Sequence, residues 1–314
     1  MLVAGVGMPF NPFMYRPVSE WNHIHAWAQG NAVGDPRISN ETPALVEDQK
    51  QRIEIAAGVV RHRLMEARPD VIVVLTTDHG RLFSAIQVPQ LFILADDAIW
   101  GSPNLAELDE PVGEARIELK GSRELGVYLQ EELVYHKFDA ALGLDMRPTG
   151  QPEFGADISL VSAVKMLTPG LNVPVLPIFM NTLLKPAPNG KRCYDLGVAL
   201  GKILDEIPQR VAIVASGGMC HDYHGARAGF VDDLMDEWVI RTLERGLSER
   251  MQPMFSQENA SSHGGYAELR TWLAAGAAME TVGSKALPVD YFSSLTAAAG
   301  IGFVFWPVKK ALYP

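Results

Sequence analysis

Two of the eight histidines stand where chains tend to build sites. His79 closes the segment Val71-Ile-Val-Val-Leu-Thr-Thr-Asp78-His79, and His221 follows Val211-Ala-Ile-Val-Ala-Ser216-Gly-Gly-Met-Cys220. Each leaves a run too apolar to be exposed and enters a loop. An imidazole held on such a loop can move a proton near neutral pH or ligate a metal. Bonding to loop carbonyls is the competing structural role. Cys220 beside His221 does not suggest a dyad, because adjacent residues of an extended segment point opposite ways; a buried, inert thiol fits better. Glu268 borders an apolar helical stripe with Leu269, Trp272 and Leu273, and reads either as an enclosed carboxylate or as a surface glutamate. In Trp21-Asn22-His23-Ile24-His25-Ala26-Trp27 the two imidazoles alternate if the segment is extended, so at most one would face inward. Exposed imidazoles on an amphipathic entry segment are the alternative. His62, between Arg61 and Arg63, and His136, at a helix end, read as solvated.

The elements that must position these residues follow from periodicity. Leu2 to Gly7 reads as a buried strand. Thr42-Pro43 starts a helix, with Ile53, Ala56, Ala57, Val60 and Leu64 on one face. Val71 to Leu75 and Val211 to Ala215 are β-branched or apolar runs that suit strands covered on both faces. Helices are expected over Arg123 to His136, Ile158 to Leu167, Gly190 to Ile207, Val231 to Glu244 and Tyr266 to Ala278. Strands are expected near Phe138 to Leu144 and Gly302 to Trp306. Val173 to Phe179 is strand-like, but Pro174 and Pro177 favour an edge or a bulge. Ala98 to Gly121 reads as irregular. Alternating helices and strands predict one α/β domain, 1–314, with a central mixed or parallel sheet flanked by helices. His79 and His221 then both fall just past carboxyl ends of strands, where such sheets collect ligands.

Bulk properties exclude several classes. Apolar residues make up 47% and charged residues 20%, which excludes a disordered chain. The net charge of −10 opposes nucleic acid and anionic membranes, and no basic block offsets it. Two cysteines cannot build a disulfide framework or a Cys-rich zinc site. The N-terminal apolar run lacks a basic n-region, and no apolar stretch has the length of a membrane span, so a cytoplasmic location is expected. Gly5-Val6-Gly7 lacks the third glycine of a dinucleotide fingerprint, no Walker A sequence is present, and Ser216-Gly217-Gly218 is not a nucleophile elbow.

Four stretches in order resemble the LigB-type class III extradiol ring-cleavage dioxygenase family, whose best-known members open protocatechuate, gallate and related catechols. They are Val71 to His79, Pro188 to Gly197, Ser216 to His221 with Gly225 to Gly229, and Gly265 to Trp272. The resemblance implies a ferrous ion on two histidines and a glutamate, a small aromatic substrate, and assembly as a homo- or hetero-oligomer. It makes His79 and Glu268 metal ligands and His221 the acid/base. It also implies two departures. Phe10, in Pro9-Phe10-Asn11-Pro12, stands where the family has its first ligand histidine. Phe154 stands where a second family histidine helps bind substrate and oxygen. The third ligand would then come from Asn11, His23, His25 or His263, within a pocket lined by Phe10, Asn11 and Phe154. Three outcomes follow: ring cleavage with an atypical iron site; metal-independent hydrolysis, C–C cleavage or isomerisation with His221 as the base; or a non-catalytic subunit beside an active homologue.

Overall fold

A computed structural model describes residues 1–112, 115–225, 227–256 and 264–309. Among the described residues there are ten strands: β1 Leu2–Met8, β2 Val71–Thr76, β3 Leu91–Leu94, β4 Ala98–Gly101, β5 Ile117–Lys120, β6 Ala141–Gly143, β7 Val175–Met180, β8 Val211–Ser216, β9 Leu287–Ser294 and β10 Ala299–Pro307. The α-helices are α1 Val18–Gln29, α2 Pro43–Glu66, α3 Arg123–Tyr135, α4 Ile158–Leu167, α5 Gly190–Glu206, α6 Asp233–Glu244, α7 Gly265–Glu268 and α8 Arg270–Thr281. Eight strands form one mixed sheet in the order β6-β3-β7-β2-β8-β1-β10-β9, and β4 pairs with β5 in a separate hairpin. The centre, β7-β2-β8-β1, is parallel, with antiparallel strands to either side. This is the α/β architecture that the alternating pattern predicts.

The core follows from burial of both sheet faces. Every residue of β1, β2, β7 and β8 is buried, so these strands read as continuous apolar runs rather than alternating ones. Helix α2 lays Ile53, Ala56, Ala57, Val60 and Leu64 on one face with α4, and Thr42 caps it by accepting from Leu45 N. Helices α5 and α8 pack on each other and close the other face. Gly5 and Gly7 have a packing role. A Cβ on Gly5 would meet Met279 at 2.9 Å, and one on Gly7 would lie 2.8 Å from Val304 Cγ2 and 2.9 Å from Trp272 Cζ3. Helix α8 therefore reaches the sheet only because β1 is bare at those two positions.

Four expectations need correction. β7 is an interior strand, not an edge. Its neighbour β3 pairs only with Ile178, Phe179 and Met180, so Pro177 stands just beyond that short ladder, where its missing N–H costs no pairing. Residues 98–121 are not wholly irregular, since they hold β4 and β5. The segment with His23 and His25 is helix α1 rather than extended. The expected helix from Tyr266 is divided at Leu269. Among the described residues, no helix is long and apolar enough to cross a membrane.

The close approach at β1 is testable. Gly7→Ala should lower the unfolding free energy by about 1–3 kcal/mol through overpacking against Trp272 and Val304. Urea denaturation measures it, and a loss within experimental error would show that the helix can retreat without cost.

Candidate active site

Three loops leave neighbouring parallel strands at the same sheet edge: Pro9 to Asn11 after β1, Thr77 to Gly80 after β2, and Gly217 to His221 after β8. Helix α7 brings Glu268 to them. Its carboxylate is 1% exposed and holds three partners. Oε1 lies 3.0 Å from His79 Nε2 and 3.5 Å from His221 Nε2, and Oε2 accepts from Gly218 N at 2.8 Å. Gly217 and Gly218 make this approach possible. Both have positive φ, and a Cβ on Gly217 would sit 3.0 Å from that of Glu268.

Each imidazole is fixed from behind. Asp157, fully buried, accepts from His79 Nδ1 at 3.0 Å and from His79 N at 2.8 Å, and it also caps α4 through Ser159 N. His221 Nδ1 donates to Met219 O at 3.1 Å, which leaves Nε2 as the lone-pair nitrogen of the neutral ring. Tyr223 stacks on His221 with ring centroids 4.8 Å apart. Burial, and then the charge of Glu268, push its phenol well above the usual range, so it stays neutral. Phe10 is buried and packs on His79 at 5.0 Å. Phe10, His79, His221, Tyr223 and Glu268 line a cavity of about 340 Å³ together with Trp27, Leu105, Ile158 and Arg81.

The electrostatics form one chain, Asp157–His79–Glu268–His221. Burial alone would raise the pKa of Glu268, but the imidazoles of His221 and His79 beside it reverse this and bring it down to about 2. Burial likewise opposes the imidazolium of His79, and is outweighed by the charge and hydrogen bond of Asp157 and then by Glu268, so its pKa lies well above the ordinary value. Asp157 is held below the usual carboxylate range: His79, then Arg81, overcome its desolvation. Cys220 is a spectator, its thiol pushed up to about 12 by burial and by Asp236.

The predicted site residues divide accordingly. His79, His221, Glu268 and Phe10 meet. Asn11 is buried behind the cavity wall, its Oδ1 capping Phe13 N and its Nδ2 3.5 Å from Ala297 O. His23 is exposed on α1. His25 has both ring nitrogens engaged, with Thr296 O and with Gln29 Oε1. Phe154 lies one layer out, its ring 5.0 Å from the Arg81 guanidinium, and does not line the cavity. His263 lies outside the described residues. Asp157, Tyr223 and Arg81 escaped sequence reading. The position of Asp157 just before α4 signals a cap, but nothing local signals its hold on His79.

A family model described as the catalytic LigB subunit of aromatic ring-opening dioxygenase matches residues 46–304. The chain belongs to this family. It is 23% identical over 288 residues to a 2,3-dihydroxyphenylpropionate/2,3-dihydroxicinnamic acid 1,2-dioxygenase of Paraburkholderia phymatum, covering 77% of this chain and 86% of that one. Gallate dioxygenase of Pseudomonas putida is 32% identical over 158 residues, covering 49% and 44% of the two chains, so the match spans less than half of that protein. The crystal structure of uncharacterized protein JW3007 from Escherichia coli K12 shares the fold, with a TM-score of 0.52 and 12% identity over 96% of this chain and 99% of that one.

The LigB family implies a metal, and the residues of this LigB-family chain fit one in part. His79 Nε2 and Glu268 Oε1 are 3.0 Å apart, which is about the separation of two ligands at right angles, each about 2.1 Å from one ion. Asp157 orients the ring from behind, as outer partners of metal-binding histidines do. A closed protein triad is not formed: among the described residues no group of three His, Cys, Asp or Glu is set to hold a metal ion.

The sign of the Asp157 shift sets a prediction. Its folded pKa is depressed, so its stabilisation is present above the unfolded value of about 3.9 and is withdrawn as pH falls through the folded one. Asp157→Asn should therefore cost about 2–4 kcal/mol at pH 7, and the gap from the unsubstituted protein should narrow below about pH 4. Urea unfolding from pH 7 down to about pH 2 tests it; a gap constant with pH would place the stabilisation elsewhere.

Proposed function

We propose that this chain is an extradiol-type ring-cleavage dioxygenase for a catechol-like or phenolic aromatic, working with an atypical metal site, and that residues 1–314 act as one catalytic unit. The observation that supports this is the meeting of two imidazoles on one buried carboxylate in an aromatic-lined cavity. In this reading His79 and Glu268 hold ferrous iron, which supplies a coordination sphere shared by catecholate and O₂. His221 is the acid/base: its Nε2 takes the proton of a substrate hydroxyl, and the Glu268 carboxylate, 3.5 Å away, stabilises the imidazolium that results. Phe10 and Tyr223 present ring faces and edges to a flat substrate and exclude water around the transferred proton. In this reading Phe10 stands where the family would have a ligand imidazole, and His79 and Glu268 would be the protein groups that hold the metal.

A second reading is favoured by the self-contained chain Asp157–His79–Glu268–His221, in which every imidazole already has a protein partner. Here His221 acts as the base without a metal, on a phenolic or enolisable substrate.

Elemental analysis of protein purified without chelator, with O₂ uptake on a catechol panel, separates the two. The first reading expects bound iron, O₂ consumption, and loss of both on EDTA treatment. Turnover unaffected by EDTA in iron-free protein would favour the second. In either case His221→Ala should lower kcat by about 10²–10⁴-fold, and unchanged kcat would remove His221 from the chemistry.

A further inference from the structure

One buried carboxyl takes no part in the chain of groups described above. Asp236 lies on α6, is 0% exposed, and is in no ion pair among the described residues. Its side-chain partners come from other elements. Cys220 N donates to Oδ1 at 3.0 Å, and the Tyr291 hydroxyl on β9 lies 3.2 Å from Oδ2. Burial pushes its pKa well above the usual carboxylate range, and the Cys220 N–H and the Tyr291 hydroxyl oppose this without reversing it. The group is therefore held as the uncharged acid. Oδ1 accepts as a carbonyl, and an acid O–H on Oδ2 faces a hydroxyl that can accept from it. A buried carboxyl with no counter-ion is a cost to the fold that an apolar side chain would avoid.

What Asp236 holds is one peptide group behind His221. The N–H of Cys220 and the carbonyl of Met219 belong to the same planar unit. Asp236 receives that N–H, and His221 Nδ1 donates to that carbonyl at 3.1 Å. The carboxyl and the imidazole are thus joined through a single rigid plane, and hydrogen bonds at its two ends polarise each other. The surrounding backbone is tied as well. Cys220 O accepts from Gly300 N and His221 O from Gly265 N, each at 2.8 Å. Gly300 also makes room for the carboxyl, since a Cβ there would overlap Asp236 Oδ2. Loss of the carboxyl would leave Cys220 N buried without an acceptor, and the peptide could then tilt away from Nδ1.

We infer that Asp236 is a positioning residue for His221, acting through the Met219–Cys220 peptide group, which it holds so that the carbonyl fixes the Nδ1 proton and leaves Nε2 as the free nitrogen facing the cavity. This rests on the proposed function only for what His221 does in turnover; the positioning itself is a property of the free protein.

Magnetic resonance of protein with isotope-labelled histidine ring nitrogens tests it, because the ring signals report which nitrogen carries the proton. His221→Gln and His79→Gln identify the two sets of signals. The unsubstituted protein should show His221 with its proton on Nδ1. Asp236→Ala should move that signal toward a mixture of tautomers and leave His79 unchanged. Asp236→Asn presents the same acceptor to Cys220 N and an N–H to Tyr291, and should restore the native signal. With a catechol that the protein turns over, Asp236→Ala should lower kcat about tenfold or more with KM within about twofold, and Asp236→Asn should recover most of the loss. A His221 signal indifferent to Asp236→Ala overturns the inference, as does Asp236→Asn as disruptive as Asp236→Ala. Should Asp236→Ala fail to fold, Gly300→Ala decides: its methyl displaces the carboxyl from Cys220 N, and a native His221 signal in that variant overturns the inference. The two proposals stay distinguishable. A His221 signal that depends on Asp236, in protein that turns over no catechol, leaves the positioning standing and removes ring cleavage; catechol turnover with an indifferent His221 signal does the reverse.

Discussion

A fully enclosed carboxylate must be given donors, and the site is organised around that requirement at Glu268. At 1% exposure it cannot be hydrated, so its charge survives because His79 and Gly218 N donate to it. These donors come from two loops that are far apart in sequence and adjacent in space because β2 and β8 pair in parallel. Helix α7 supplies the carboxylate from a third region. Trp272, one turn further, is tied to the same loop by its indole N–H to Gly217 O at 2.7 Å. The bare backbone of Gly5 and Gly7 lets α8 sit close enough for this to happen. Core packing and the polar site thus share one set of constraints.

The same carboxylate gives the imidazoles different characters. His79 lies between two anions, Asp157 and Glu268, and is driven toward its charged form or toward a cation in place of its proton. His221 faces one anion and a backbone carbonyl, and its outward nitrogen is the lone-pair one. One of these rings suits holding a positive charge and the other suits moving a proton. The aromatic groups around them keep water away and so keep these interactions strong. Phe10 fits that pattern: an apolar ring against His79 narrows the cavity and offers no electron pair.

Much of the fold was legible in the sequence. Continuous apolar runs marked β1, β2 and β8 because both sheet faces are covered, and the Thr42-Pro43 cap with its periodic stripe marked α2. His79 and His221 were legible as site residues for the same reason, since each directly follows a buried strand. Local patterns failed where the deciding partner is distant. Pro177 argued for an edge, yet β7 is interior because β3 is too short to need a hydrogen bond at that point. His25 looked free, yet Thr296, near the other end of the chain, occupies its Nδ1.

The sequence by itself therefore determined the strand order of chemistry: which loops carry imidazoles, that a carboxylate follows on a helix, and that no imidazole stands at Phe10. Only the tertiary structure decided that Glu268 is enclosed and shared, and that Asp157 rather than a local group holds His79. The physical reason is that burial and hydrogen-bond partnership are properties of space. Periodicity records which face of an element is covered, while the group that compensates a buried charge is chosen by elements that meet only after the sheet has formed.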